Sequence, residues 1–381
     1  MIRKLSVVIS VISVSLFALL AAPGAFALET LGKQVIMIDA KTNTVLFEKN
    51  ADQLMPPSSM SKIMTIYKLF ELMKDKRLSL EDTFRVSEKA WRKQGSKMFV
   101  SVNSRVKIED LIRGIIVQSG NDATIVVAEG ISGTESAFAD ELNELAKRLG
   151  MTNSIFRNAS GWPDPEHRTT ARDLAILAAA TIRDFPEFYK YYGEKTFTYN
   201  GIKQSNRNPA IYRDIGADGL KTGHTEAAGY GLTASAERKG RRIILVINGL
   251  PSKKARSNES ERLIDWAFRT FGNYKLFSAG EQVTEAEVWL GTQPRVPLVI
   301  EKELELTLNR GVRRDMKVSV VYQEPLPAPI RKGDTVAILK VELPGQENLE
   351  IPLVAGEDVN RLGLFSRWGA SLKYILLGKS G

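Results

Sequence analysis

The chain has 381 residues with the apolar and charged fractions of a soluble globular protein, too long for one ordinary domain and enough for two plus a leader. It has no cysteine and only two histidines, His167 and His224. That excludes cysteine nucleophiles, thiolate zinc sites, iron–sulfur clusters and histidine-rich metal centres, and leaves a Ser-His-Asp triad two candidate bases. The formal charge of +9 comes without a dense Lys/Arg run or base-stacking pattern, so nucleic acid is not an expected partner. An anionic surface or an acidic polymer suits such an excess better.

Arg3 and Lys4 precede the apolar run Leu5 to Ala22, and Ala25-Phe26-Ala27 offers a small-x-small cleavage site. Residues 1–27 therefore read as a signal peptide, against the alternative of a single uncleaved anchor. Cleavage starts the mature chain at Leu28, and losing Arg3 and Lys4 takes the formal charge from +9 to +7.

Gln34–Asp39 and Thr44–Glu48 are short β-rich runs joined by a turn, a hairpin by length and chemistry. Pro57-Ser58-Ser59-Met60-Ser61-Lys62 opens a helix to about Lys76, with prolines at its start and serine oxygens placed to cap free N–H groups. Ile108–Val117 and Asp122–Ala128 are helical runs around a polar corner, Gln118-Ser119-Gly120-Asn121. Glu135–Leu149 is a further helix closed by Gly150, and Leu174–Ile182 another with Thr170 as N-cap. Between these two helices lies a turn-rich stretch from Asn158 to Pro165. Tyr189–Tyr199 suggests a short strand, Gly229–Ala236 and Arg241–Asn248 are strand-like, and Ser260–Phe271 is helical. Strands at both ends with helices between predict one α/β sandwich, residues 28–278. Five short strand-like runs within residues 283–356 predict a small all-β domain. In residues 358–378, Leu364, Phe365, Trp368, Leu372, Ile375 and Leu376 share one helical face with basic flanks, the pattern of an amphipathic helix lying in a membrane interface.

Three short pieces carry chemistry. Ser59 and Lys62 lie one helical turn apart, so a hydroxyl meets an amine able to act as its base if burial and a nearby cation keep that amine partly neutral. Lys221, in Lys221-Thr222-Gly223-His224, is the expected cation. Ser119-Gly120-Asn121 forms the helix–loop–helix corner. A second Ser-x-x-Lys, Ser104–Lys107, sits in an alternating valine stretch without a helix start and is set aside.

In this order the three pieces match the Ser-x-x-Lys, Ser-x-Asn and Lys-Thr-Gly set of penicillin-recognising enzymes. With Gln118–Ala123, Thr170–Leu174, Asp218–Thr225 and Ala228–Tyr230, the chain resembles the low-molecular-mass penicillin-binding proteins that act as D-alanyl-D-alanine carboxypeptidases. The resemblance covers essentially the whole mature chain. It implies the β-lactamase/transpeptidase-like α/β sandwich, followed by the small all-β domain and the C-terminal amphipathic helix. It also implies a catalytic set of Ser59 as nucleophile, Lys62 as general base and Ser119 as proton relay. Asn121 hydrogen-bonds Lys62 or the peptide, and Lys221 and Thr222 receive the substrate carboxylate. Gly223 admits a close substrate backbone, and the Ser59 and His224 N–H groups form the oxyanion hole. Arg256 resembles a family arginine near the carboxylate pocket, with a surface salt bridge as its alternative. No metal or cofactor is implied. The expected partners are peptidoglycan stem peptides ending in D-Ala-D-Ala, β-lactams as inhibitors, and the periplasmic face of the bacterial inner membrane, touched through the C-terminal helix. Endopeptidase, transpeptidase or β-lactamase activity on the same fold, and a non-catalytic cell-wall scaffold, are the competing readings. Glu166 lacks the Glu-x-x-Leu-Asn context of a class A β-lactamase.

Overall fold

The computed structural model describes residues 28–343, 348–364, 366 and 368. The predicted signal peptide and most of the predicted 358–378 helix lie outside the described residues.

The N-terminal domain is built on a five-stranded antiparallel sheet whose spatial order is Val45–Lys49, Gln34–Asp39, Arg241–Leu250, Gly229–Arg238 and Ala217–Thr225. The N-terminal strand thus pairs with one more than 200 residues away, Gln34 opposite Asn248. Both central strands read as continuous apolar runs because both sheet faces are covered. Ile36, Ile38, Ile244 and Val246 face the main helical core. Alternation turns Val35, Met37, Leu245 and Ile247 the other way, where the helix Lys253–Thr270 packs on strands Gly229–Arg238 and Arg241–Leu250.

The helix Lys62–Lys74 runs through the centre of the helical layer, with Ile63, Met64, Leu69 and Phe70 fully buried. Ile108–Ile116, Asn121–Ser132, Glu135–Leu149 and Ala171–Asp184 complete that layer. Gly150 ends its helix in the left-handed conformation, and the Thr170 hydroxyl accepts from the Asp173 N–H as an N-cap. The second Ser-x-x-Lys runs into a small antiparallel strand pair, Thr83–Arg85 with Arg105–Lys107, and Lys107 pairs with Glu81 there.

Three elements differ from expectation. Tyr189–Tyr199 is not one strand: a helical turn ends at Tyr189, a 3₁₀ turn covers Lys190–Gly193, and only Thr196–Tyr199 is extended. Tyr189, Tyr191 and Tyr192 are core residues, so their aromatic character reports burial and not strand. The last helix of the first domain begins at Lys253, seven residues early, because its polar first turns are held by a Ser252 cap on the Ala255 N–H. Phe271–Phe277, assigned to the first domain by sequence, pairs with Leu304–Asn309 and belongs to the β domain, which moves the boundary from 278 to about 270.

The β domain joins that pair to a six-stranded sheet closed over Ala286, Val296, Leu298, Leu339 and Leu353. One of its strands, Arg295–Val299, carries Pro297 and escaped the sequence reading for that reason. Val359 is fully buried in this core, and Ile330–Val359 and Gly291–Arg361 bridges tie the following segment down. Residues 358–362 are therefore β-domain structure and not the start of a membrane helix.

Candidate active site

The stretch Ser58–Ser61 is a 3₁₀ turn leading into the helix at Lys62. In a 3₁₀ turn residues i and i+3 eclipse, which sets Ser59 directly over Lys62. None of the serines caps the helix, contrary to expectation. All three turn sideways: Ser58 Oγ donates to Thr225 Oγ1, Ser59 Oγ accepts from Lys62 Nζ at 2.8 Å, and Ser61 Oγ lies 2.8 Å from His167 Nε2.

Lys62 is wholly buried. Its Nζ spends all three donor positions at 2.8 Å, on Ser59 Oγ, Asn121 Oδ1 and the Ser160 carbonyl. None is a carboxylate. Burial, helped by the nearby Arg207 and then by Lys93 and opposed by Asp122, pushes this amine down to about 7. Arg207 was not anticipated, and it takes the place expected of Lys221 as the cation acting on Lys62.

Lys221, also buried, donates to Ser119 Oγ at 3.0 Å and to the Thr222 carbonyl. Burial drives it well below the usual lysine range, with Lys62, Arg207 and Arg256 adding to the effect. Ser119 thus stands on Lys221, and Asn121, two residues on, holds Lys62. The corner has a left-handed Ser119 (φ 59°) and is pinned by Asp122, whose carboxylate accepts the N–H groups of Met98, Phe99 and Val100. Asn121 Nδ2 donates in turn to the Gln94 carbonyl.

Gly223 packs against the serine turn. A Cβ there would lie 2.9 Å from the Pro57 carbonyl oxygen and 3.1 Å from Ser58 Cβ. Its cross-strand partner Gly231 leaves room for Met60 in the same way. The glycine pair is a seat for the serine turn, so the absent side chain admits the nucleophile's own backbone. Gly161 (φ +74°) completes the seat, since a Cβ there would fall 1.8 Å from the Ser58 carbonyl oxygen. The loop that carries it is folded around Asn158, whose Oδ1 accepts from the Ser160, Gly161 and Trp162 N–H groups, and this places the Ser160 carbonyl on Lys62.

The cleft, about 260 Å³, is lined by Ser59, Ser119, Arg207, Thr222, His224 and Arg256 among others. Its mouth is cationic. Arg256 is buried, donates to the Gly223, Gly231 and Arg207 carbonyls at 3.3–3.5 Å, and keeps a buried Nε without a partner. Among the described residues it has no ion pair, so the surface salt bridge is not observed. Burial pushes it down to about 10. Arg207 donates to Ser96 Oγ across the cleft. His224 is exposed, its ring stacked on Tyr230 at 3.9 Å. Strand Ala217–Thr225 is the edge of its sheet, so the backbone of Thr222 to His224 on the outer side is open to a ligand. His167 is structural: its Nδ1 accepts the Arg157 N–H, leaving Nε2 to donate to Ser61, and burial holds it neutral at about 4. Glu166 is exposed and paired with Arg157.

A serine hydroxyl on a buried, carboxylate-free lysine, beside a cationic cleft on a sheet edge, defines a class of protein: an acyl-serine enzyme for substrates ending in a carboxylate. Comparison with known proteins narrows the class. The D-alanyl-D-alanine carboxypeptidase family profile matches residues 22–252, and that of the penicillin-binding protein 5 C-terminal domain matches 271–361. The D-alanyl-D-alanine carboxypeptidase DacA of Haemophilus influenzae is 35% identical over 373 residues, 96% of this chain and 95% of that one. The crystal structure of penicillin-binding protein 5 from H. influenzae superposes with a TM-score of 0.79 at 35% identity, covering 89% of this chain and all of that one. Penicillin-binding protein D2 of Listeria monocytogenes, solved in its ampicillin-bound form, covers 63% of this chain and 98% of its own (TM-score 0.58, 28% identity). This chain belongs to the D-alanyl-D-alanine carboxypeptidase family of low-molecular-mass penicillin-binding proteins.

Proposed function

We propose that the chain removes the terminal D-alanine from peptidoglycan stem pentapeptides as a serine carboxypeptidase, and that β-lactams block it by acylating Ser59. The observation that carries this reading is the 2.8 Å contact between Ser59 Oγ and a buried Lys62 amine held near 7. At neutral pH a large share of Lys62 is uncharged and free to take the serine proton. Ser59 Oγ then bonds to the carbonyl carbon between the two D-alanines, with the oxyanion at the Ser59 and His224 N–H groups. The proton passes through Ser119 to the departing amine as the C–N bond breaks. The terminal carboxylate is received by Lys221, Thr222 and the Arg207–Arg256 pair. In the free site those cations depress one another, and the arriving anion favours the charged form of Lys221. Water then cleaves the ester, with Lys62, again neutral, in reach to activate it. Glu166 is exposed and committed to an ion pair with Arg157, which speaks against the β-lactamase alternative.

Intact-mass analysis after incubation with penicillin, with peptide mapping, tests this. One adduct on Ser59, and D-alanine release from a pentapeptide that is lost in Ser59→Ala and Lys62→Ala, is the expected result. An adduct elsewhere overturns it.

We further propose export through residues 1–27 and peripheral attachment to the membrane through the segment after Gly363. The sequence pattern supports this, together with Leu364 and Trp368, four apart and 67% and 79% exposed. Six large apolar side chains would contribute roughly 1.5–3 kcal/mol each before ordering costs. No helix among the described residues is long and apolar enough to cross a membrane. Because Val359 belongs to the β-domain core, the informative truncation is after Gly363. That protein is expected to be active and to stay in the supernatant with anionic vesicles, and co-sedimentation would refute the assignment.

A further inference from the structure

A second cleft, about 550 Å³, meets the first at the serine turn. The cationic cleft is lined by Ser59 and Thr222 to His224, and the second continues along the same strand end with Ser58, Thr225 and Glu226. Its walls are Pro57, Trp162 and Pro163, and its rim includes Asp164 and Arg168. The indole lines the second cleft and lies near Asn121. A Cβ on Gly95 would fall 2.7 Å from Asn121 Nδ2 and 2.9 Å from Trp162 Cζ3. Trp162 carries the Lys93 ammonium over its ring at 4.4 Å and is nonetheless 39% exposed, so part of its apolar surface stays open beside the catalytic centre. The groove is preformed, since Asn158 and the His167–Ser61 contact fix its loop. Neither Glu226 nor Asp164 has an ion-pair partner among the described residues.

The direction of the substrate follows from these positions. The cationic cleft holds the end that leaves with the carboxylate, so the acyl part must run the other way from Ser59, past Ser58 and Thr225. We infer that this groove binds the acyl side of the peptide, laying the long aliphatic side chain of the residue before the D-Ala-D-Ala pair on Trp162 and Pro163, with its terminal ammonium at Glu226 and Asp164. This rests on the carboxypeptidase reading above. The groove therefore sets which peptides are cleaved efficiently, a specificity role separate from the bond-breaking residues.

Release of D-alanine by the full-length protein is measured for three substrates: N-acetyl-D-Ala-D-Ala, a pentapeptide with lysine before D-Ala-D-Ala, and the same pentapeptide with norleucine there. The native protein favours the lysine pentapeptide over the short one at least tenfold, through KM. Trp162→Ala reduces that preference about tenfold with kcat for the pentapeptide little changed. Glu226→Gln, a surface substitution that leaves the fold alone, removes the preference for lysine over norleucine. Equal factors on all three substrates, in both variants, overturn the groove assignment while leaving the carboxypeptidase reading intact. No D-alanine from any substrate removes that reading, and this inference with it.

Discussion

The two halves of the molecule bury different things. The β domain closes over alanine, valine, leucine and isoleucine, and Thr307 is its one buried polar side chain among the described residues. The catalytic half buries Lys62, Lys221, Asp122, Asp173, His167 and Arg256. Buried amines without carboxylate partners oppose stability, and a fold retains them where their chemistry is used. The contrast teaches that the first half holds strain and charge in place while the second is ordinary packing. The seam between them carries local polar contacts, with Thr42 and Thr307 hydroxyls at 2.6 Å, Lys41 with Glu305, and Asn273 on the buried Asp39, beside the edge-on Trp266–Phe271 pair.

If that contrast is right, substitutions around the serine turn cost activity far beyond their size, while those at the seam cost only stability. The largest effect is expected for Gly161→Ala. An added Cβ would sit 1.8 Å from the Ser58 carbonyl oxygen at a left-handed φ, so the serine turn must shift. Displacement of a nucleophile by about 1 Å costs on the order of 100-fold, and penicillin acylation followed by stopped flow should fall by at least that much. An intermediate effect is expected for Arg207→Ala. Acylation needs neutral Lys62, so its rate should rise with pH through about 7 and then level off. Removing a cation favours the charged amine and raises its pKa, so the ascending limb should move to higher pH. A limb that stays in place would show that Arg207 does not act on Lys62. The smallest effect is expected for Thr307→Val, which loses hydrogen bonds to Thr42 and Asn273. About 1 kcal/mol of stability should go, read from denaturant unfolding, with the acylation rate within about twofold of the parent.

Much of the site was legible because its parts are local. Ser59 and Lys62 are one turn apart, Ser119 and Asn121 share a corner, and Lys221 to His224 are contiguous on a strand, so spacing alone groups each set. What spacing could not show lies in long-range packing. Arg207 comes from a loop with no pattern, and Ser160 contributes a backbone carbonyl, which every residue has. For Gly223 the resemblance implies substrate approach alone, and its packing role stays hidden because the atoms filling its Cβ position belong to Pro57 and Ser58, over 160 residues earlier. The boundary at Phe271 was hidden for a similar reason, since only pairing with Leu304–Asn309 decides where that strand belongs. The hairpin at Gln34, the capped helix at Thr170 and the glycine stop at Gly150 were readable from local chemistry alone.

The central claim is that Lys62 sits buried and near neutrality against Ser59. Its direct test is an NMR titration of the protein with isotope-labelled lysine, with the Lys62 signal identified by its loss in Lys62→Arg. A midpoint near 7 in the free protein is the predicted result. A midpoint near 10.4, the value of a solvated lysine, would contradict the account.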